Sequence, residues 1–297
     1  MRPPWLVSGD VTLMSVININ PDSFSDPRCE TDLSERIAVA QESVAAGARI
    51  VDLGAQSAAV EARIVPPSEQ AALLVPIVAA LHEVGVPVSV DTYEPDVAES
   101  VLAAGADVVN DFSGRLSPEL VEVVTDSDAL YVLTHNPKGP RRRQMDPWFY
   151  DDVMSAVLRY FDEQLAYLEH LGLSRERVIL DPGIDAGKTP SQTLALLRDR
   201  FRIREAFELP ILWAISRKDI IGVLTGRQPV ERDAGTLALL DSVAEISDSI
   251  VRVHAIAAAY DFMTIKAALG GGLTIPPGKM LAEDLRRQPG VPEEPSA

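Results

Sequence analysis

The sequence predicts an α/β fold: a single (β/α)8 TIM barrel over residues 1–275, followed by a short, flexible polar tail over 276–297. Three observations carry this expectation. Eight short runs rich in β-branched residues alternate with longer amphipathic segments along the whole chain. Each run is apolar almost throughout, which requires burial on both faces and therefore a parallel sheet. The G-x-G-x-x-G fingerprint expected after the first strand of a doubly wound dinucleotide-binding sheet is missing, so closure into a barrel is favoured over an open sheet. The 297 residues suit a barrel of about 250 residues with a tail.

In order, the strands are expected at 11–17, 48–53, 86–90, 106–110, 129–134, 177–181, 209–215 and 249–254. Helical patterns lie between them, among them 33–48, 94–106 and 151–172. In the last, Val153, Val157, Phe161 and Leu165 recur every fourth residue and share one face. Gly47, Gly85, Gly105 and Gly172 stand where helix C-caps should fall. After Pro289 the chain turns polar and Pro-rich, as frayed termini do.

The formal net charge of −17 excludes nucleic acid and anionic membrane as partners, since both need a basic footprint. A small anionic substrate remains compatible, because local cations act inside an acidic protein. The one basic run, at 141–143, reads as a solvated loop. A single cysteine, Cys29, excludes an intramolecular disulfide or a cysteine zinc cluster and reads as a bystander thiol. No apolar stretch suits a signal peptide or a membrane span, so a soluble, cytoplasmic protein is expected.

A barrel gathers its active site at the C-terminal ends of its strands. The polar residues are there: Asn18, Asp52, Asp91, Asn110 with Asp111, His135, Asp181, Ser216 with Arg217 and Lys218, and Arg252 with His254. Any one Asp or Asn after a strand is more readily a helix N-cap, and Thr92, Asp111 and His135 are equally compatible with structural hydrogen bonding. Eight strands ending alike exceed what capping explains. Period two places Arg252 and His254 on the same side of their strand. Asp and Asn side chains suit the edge of a flat nitrogen heterocycle, whereas Arg252, His254 and Lys218 suit a phosphate or pyrophosphate. No zinc-ligand spacing, nucleophile elbow or Ser–His–Asp order is present. The stretch 179–190, ILDPGIDAGKTP, has three residues between Gly183 and Gly187 ahead of Lys188 and Thr189 where a P-loop has four, so it reads as a degraded phosphate loop, a turn before a helix or part of a different site.

These pieces, in this order, resemble the dihydropteroate synthases over about residues 12–268: MSVININPDSFSD, GARIVDLGAQSA, SVDTYEPDVAESVLAAGADVVNDFSG, DPGIDAGKTP, SRKDIIGVLTG and IVRVHAIAA. The resemblance implies a transferase that joins 6-hydroxymethyl-7,8-dihydropterin pyrophosphate to para-aminobenzoate and releases pyrophosphate on the route to folate. It implies pterin binding by Asp91, Asn110, Asp181 and Lys218, and pyrophosphate binding by Asn18, Arg252 and His254. Catalysis would rest on Asp91, Lys218, Arg252 and His254, with Mg²⁺ coordinated near Asn18, in a homodimer. A pterin-binding paralogue, with another second substrate or no synthase activity, is the alternative. A related methyltetrahydrofolate-binding methyltransferase is disfavoured, since methyl transfer does not need the cations of SRK and RVH.

The departures from the family pattern cluster on the second-substrate side. Ala58 and Ala59 stand where a Thr-Arg pair is usual, with Arg63 four residues on as a substitute for that arginine. Asp185 and Ala186 replace a Gly-Phe whose ring packs on the aminobenzoate, and a pocket-facing Asp185 would repel its carboxylate. Asn20, Asn136, Ala255 and Asp219 also stand where Thr, Met, Asp and Ser are usual. Ser216, Arg63 and Asp185 are therefore the expected second-substrate positions.

Overall fold

A computed structural model describes residues 3–6, 9–19, 33–56, 63–140, 146–282 and 285–286. Eight parallel strands close into a barrel in chain order: β1 (Thr12–Asn18), β2 (Ile50–Gly54), β3 (Val88–Asp91), β4 (Val108–Asp111), β5 (Leu130–Thr134), β6 (Val178–Asp181), β7 (Ile211–Trp213) and β8 (Ser249–Val253). β8 pairs with β1, from Thr12 opposite Ile250 to Ser15 opposite Val253, which closes the sheet. All eight expected strands are present, though β1 extends to Asn18 and β7 keeps only three residues.

The helices are α1 (Leu33–Ala45), α2 (Pro67–Glu83), α3 (Pro95–Ala103), α4 (Pro118–Thr125), α5 (Val153–His170), α6 (Pro190–Arg198), α7 (Phe201–Phe207), α8 (Asp219–Thr225), α9 (Asp233–Val243) and α10 (Ile256–Leu269). The units after β6 and β7 each carry two helices. Period four fixes the buried face of α5, where Val153, Val157, Phe161 and Leu165 are all buried. Its first turn is capped by Asp152, whose carboxylate accepts from the Ser155 N–H. The four glycines expected at helix ends all have positive φ.

Two apolar clusters follow from strand alternation. Residues of β1–β3 that point outward, such as Val51, Leu53, Val88 and Val90, pack with Leu74, Ile77, Val97 and Val101 of the surrounding helices. Residues of the opposite parity, Met14, Ile50, Val108, Leu130, Val132, Ile179, Leu212 and Ile250, fill the barrel interior together with Trp5 and Leu6. Residues 1–260 form one compact unit and 261–297 a second. In the second unit, α10 gives way to exposed turns over 270–282. Among the described residues, no helix is long and apolar enough to cross a membrane.

Candidate active site

The interior residues change character two positions further along their strands. Ile50 gives way to Asp52, Val108 to Asn110, Val132 to Thr134, Ile179 to Asp181, and Ile250 to Arg252. Strand pairing keeps these positions together: Val16 lies opposite Asp52, Asp52 opposite Ser89, Gly54 opposite Asp91, and Asp91 opposite Asn110. An apolar plug therefore fills the N-terminal part of the barrel, and a polar floor begins above it.

Asp52 organises that floor. It is fully buried and accepts from Arg252 Nε at 2.6 Å and Ser89 Oγ at 2.6 Å. The Asn110 amide donates to both its oxygens, at 3.3 and 3.2 Å. The other end of the Arg252 guanidinium reaches Asp91, with Nη2 3.7 Å from Oδ2. One buried carboxylate thus aims an arginine and an amide into the mouth and leaves Asp91 with a single loose cation among the described residues. Burial and then the like charge of Asp52 push the Asp91 carboxyl up to about 7, against the pull of Arg252. Asp181 is buried and accepts from the Gly183 N–H at 2.7 Å. Its carboxyl is also raised by burial, and that bond with Lys218, Lys188 and Arg252 opposes the rise.

Beyond β6 and β7 the site is made by loops. Lys188 is buried and donates to three carbonyls, of His135 at 3.1 Å, Gly183 at 2.9 Å and Ala186 at 3.1 Å. Burial lowers its ammonium to about 7, although Asp181 and Asp185 resist this. The loop comes so close to β5 that a Cβ on Gly183, at φ +69, would lie 2.2 Å from the His135 carbonyl oxygen. Lys218 stands at the N-cap position of α8, and burial lowers its ammonium against the charges of Asp185 and Asp181. The Ser216 hydroxyl bridges to His254, accepting from its backbone N–H at 3.1 Å and lying 2.8 Å from Nδ1. Desolvation and the cations Arg252, Arg217 and Lys218 hold the His254 imidazole down to about 4, with Asp233 opposing them.

Similarity to known proteins agrees with this geometry. Residues 14–254 match the family model described as pterin binding enzyme. The dihydropteroate synthase of Escherichia coli strain K12 is 34% identical over 257 residues, 86% of this chain and 90% of that protein. The chain belongs to the dihydropteroate synthase family. Among solved structures, the Yersinia pestis synthase in a sulfonamide drug complex is similar at TM-score 0.83 and 31% identity, covering 88% of this chain and 95% of that one. The Xanthomonas albilineans synthase with 4-aminobenzoic acid is similar at TM-score 0.79 and 33% identity, covering 88% and 93%.

Of the residues expected to hold pterin and pyrophosphate, the structure gathers Asp91, Asn110, Asp181, Arg252 and Lys218 into one electrostatic cluster. Asn18 ends β1 half-buried opposite Gly54, with the parity of the inward row. Asp111, adjacent to Asn110, faces the other way and binds the buried Tyr131 hydroxyl and the Ser113 N–H. His135 also points outward, edge-on to Tyr160 at 4.9 Å, and burial lowers its imidazole to about 2, so it stays neutral. Thr92 caps the turn at Glu94.

On the second-substrate side, Arg63 is exposed and paired bidentately with Glu69, at 3.1 and 2.6 Å. Both carboxylate oxygens of Asp185 are engaged within the protein, by Thr193 and by the Asp219 N–H. Ala186 is buried, and Asn136 donates to the Phe112 carbonyl at 3.0 Å. Asn20, Cys29, Ala58, Ala59 and residues 141–143 lie outside the described residues. The polar strand-end pattern assigns no particular role to Asp52 or Lys188. The signal for Asp52 was its parity with Ile50, two residues before it. Lys188 carried no periodic signal.

Proposed function

We propose that this chain is a working dihydropteroate synthase, a transferase of folate biosynthesis that joins 6-hydroxymethyl-7,8-dihydropterin pyrophosphate to para-aminobenzoate. The observation that carries this reading is the buried Asp52, which holds Arg252 and Asn110 beside Asp91 at the floor of the mouth. Such a floor presents acceptors to a donor-rich heterocycle and a guanidinium to an oxyanion.

Asp91, Asn110, Asp181 and Lys218 bind the pterin, and Asn18, Arg252 and His254 take the pyrophosphate. Heterolysis of the C–O bond at the pterin methylene leaves positive charge on the ring system and sends the electron pair out with pyrophosphate. Arg252 and Lys218 stabilise the departing anion, and ionised Asp91 stabilises the cation left behind. The amine of para-aminobenzoate then attacks the methylene and loses its proton. An arriving polyanion also raises the His254 imidazole, which makes it a stronger donor to the leaving group.

The Asn18 amide oxygen suits Mg²⁺, which takes few protein oxygens and draws the rest of its shell from phosphates and water. Among the described residues no cluster of three or more acidic, His or Cys side chains offers an all-protein cage. When bound there, Mg²⁺ would neutralise charge on the leaving pyrophosphate.

Ser216 and Arg63 meet the second substrate. Arg63 can exchange Glu69 for the aminobenzoate carboxylate at little cost, because so exposed an ion pair contributes only about 0–1 kcal/mol. We read residues 1–275 as the functional barrel with 276–297 as a tail, and the protein as a cytoplasmic homodimer that engages neither nucleic acid nor membrane.

A pyrophosphate-release assay with the dihydropterin pyrophosphate, with and without para-aminobenzoate, tests the reading. Release dependent on the arylamine supports it. Pterin binding without release would identify a binding paralogue instead.

A further inference from the structure

Asp185 is a non-glycine residue at φ +61, in the loop between Asp181 and Lys188. Glycine adopts that backbone freely, whereas an aspartate stays there only where its surroundings hold it. Here they do. Oδ1 accepts from Thr193 Oγ1 at 3.0 Å, and Oδ2 accepts from the Asp219 N–H. The Asp185 N–H itself donates to Thr193 Oγ1 at 3.3 Å. One carboxylate therefore ties the loop after β6 to α6 and to the first residue of α8. The residue before that one is Lys218, which occupies the N-cap position of α8 without a side-chain cap bond.

The turn that carries Lys218 is strained as well, with Arg217 at φ +56. From the α9 side it is pinned by Asp233, bidentate to Arg217 at 2.8 and 2.9 Å. Arg232 adds bonds to the Arg217 carbonyl at 2.9 Å and the Lys218 carbonyl at 3.2 Å. Asp185 supplies the matching tie from the β6 side. With both oxygens used in this way, its carboxylate serves the protein rather than a ligand.

We propose that Asp185 is a positioning residue for Lys218: its carboxylate locks the loop after β7 onto the loop after β6 and places a negative charge within electrostatic reach of the lysine. This inference rests on Lys218 as a pterin ligand, as argued above. Lys218 also faces Asp181 on β6, Arg252 on β8 and Asp219 on its own helix, and it acts in turn on Lys188 and His254. Of these, Asp185 makes the largest contribution favouring the charged lysine, ahead of Asp181.

Two variants separate the tether from the charge. Asp185→Gly removes both and relieves the backbone, so the fold should survive. Asp185→Asn keeps an acceptor oxygen but no charge. Amide hydrogen exchange at Asp219 reads the tether without any substrate, and the pH profile of kcat/KM for the dihydropterin pyrophosphate reads the lysine. Asp185→Gly should speed Asp219 exchange by about tenfold, the loss of one hydrogen bond. Both variants should move the alkaline limb of kcat/KM down by about one pH unit. An Asp219 exchange rate unmoved in Asp185→Gly, or an alkaline limb unmoved in both variants, overturns the inference. An inactive wild-type chain would instead sink the functional reading, and the exchange rate alone would then decide the tether.

Discussion

On the β1–β4 side of the mouth the functional side chains ride on strands: Asn18, Asp52, Asp91 and Asn110, joined across the barrel by Arg252 on β8. On the β6–β7 side only Asp181 does so, and Lys188, Asp185, Lys218 and Ser216 sit on loops tied down one hydrogen bond at a time. A strand residue is aimed by the sheet itself, so a single buried carboxylate suffices to fix Arg252 and Asn110. A loop residue needs its own anchors, which is why this side holds a triply bonded lysine and two non-glycine residues at positive φ.

The largest expected effect breaks the strand-built side. Arg252→Ala leaves Asp52 buried without its cation, which should cost about 3–5 kcal/mol of stability in denaturant unfolding. It should also lower kcat by about 100- to 1,000-fold, since a donor to the developing anion is gone. Lys188→Met strips three carbonyls of their donor and should cost about 2–4 kcal/mol, with the loss concentrated in the 183–188 loop by hydrogen exchange.

Asp52→Asn keeps the shape and removes the charge. The Asp91 titration, followed by carboxyl NMR, should then fall from about 7 toward the ordinary range, because the like charge that helps raise it is gone. In the wild type the folded pKa of Asp91 lies above the ordinary 3.8, so its contribution to stability is complete below that value and is lost as pH rises through about 7. Pterin affinity should rise over the same interval as Asp91 ionises, then level off, and Asp91→Asn should flatten the curve. Least of all, Arg63→Ala should raise the KM for para-aminobenzoate a few-fold, roughly 1 kcal/mol, without altering stability.

The same contrast explains what could be read from sequence. Strand order, closure and the polar strand ends were legible because β-branched runs and period two survive folding unchanged. Asn110 and Asp111 show the limit: both end β4, but alternation sends one inward and the other to Tyr131. Asp52 was visible as a strand end, yet its three partners come from strands 37, 58 and 200 residues away, and no local pattern encodes them. Asp185 was legible as a departure from the family pattern. Its tether to Asp219 depends on how two loops fold together, and a carboxylate in sequence carries no direction.

On the proposed reading, this mouth holds a dihydropterin pyrophosphate on its floor. Calorimetric titration of that compound into the wild type and into Asp181→Asn tests it most directly. The wild type should bind saturably, with affinity weakened by about tenfold or more when the buried acceptor loses its charge. No binding by the wild type, or equal affinity in the two proteins, would contradict it.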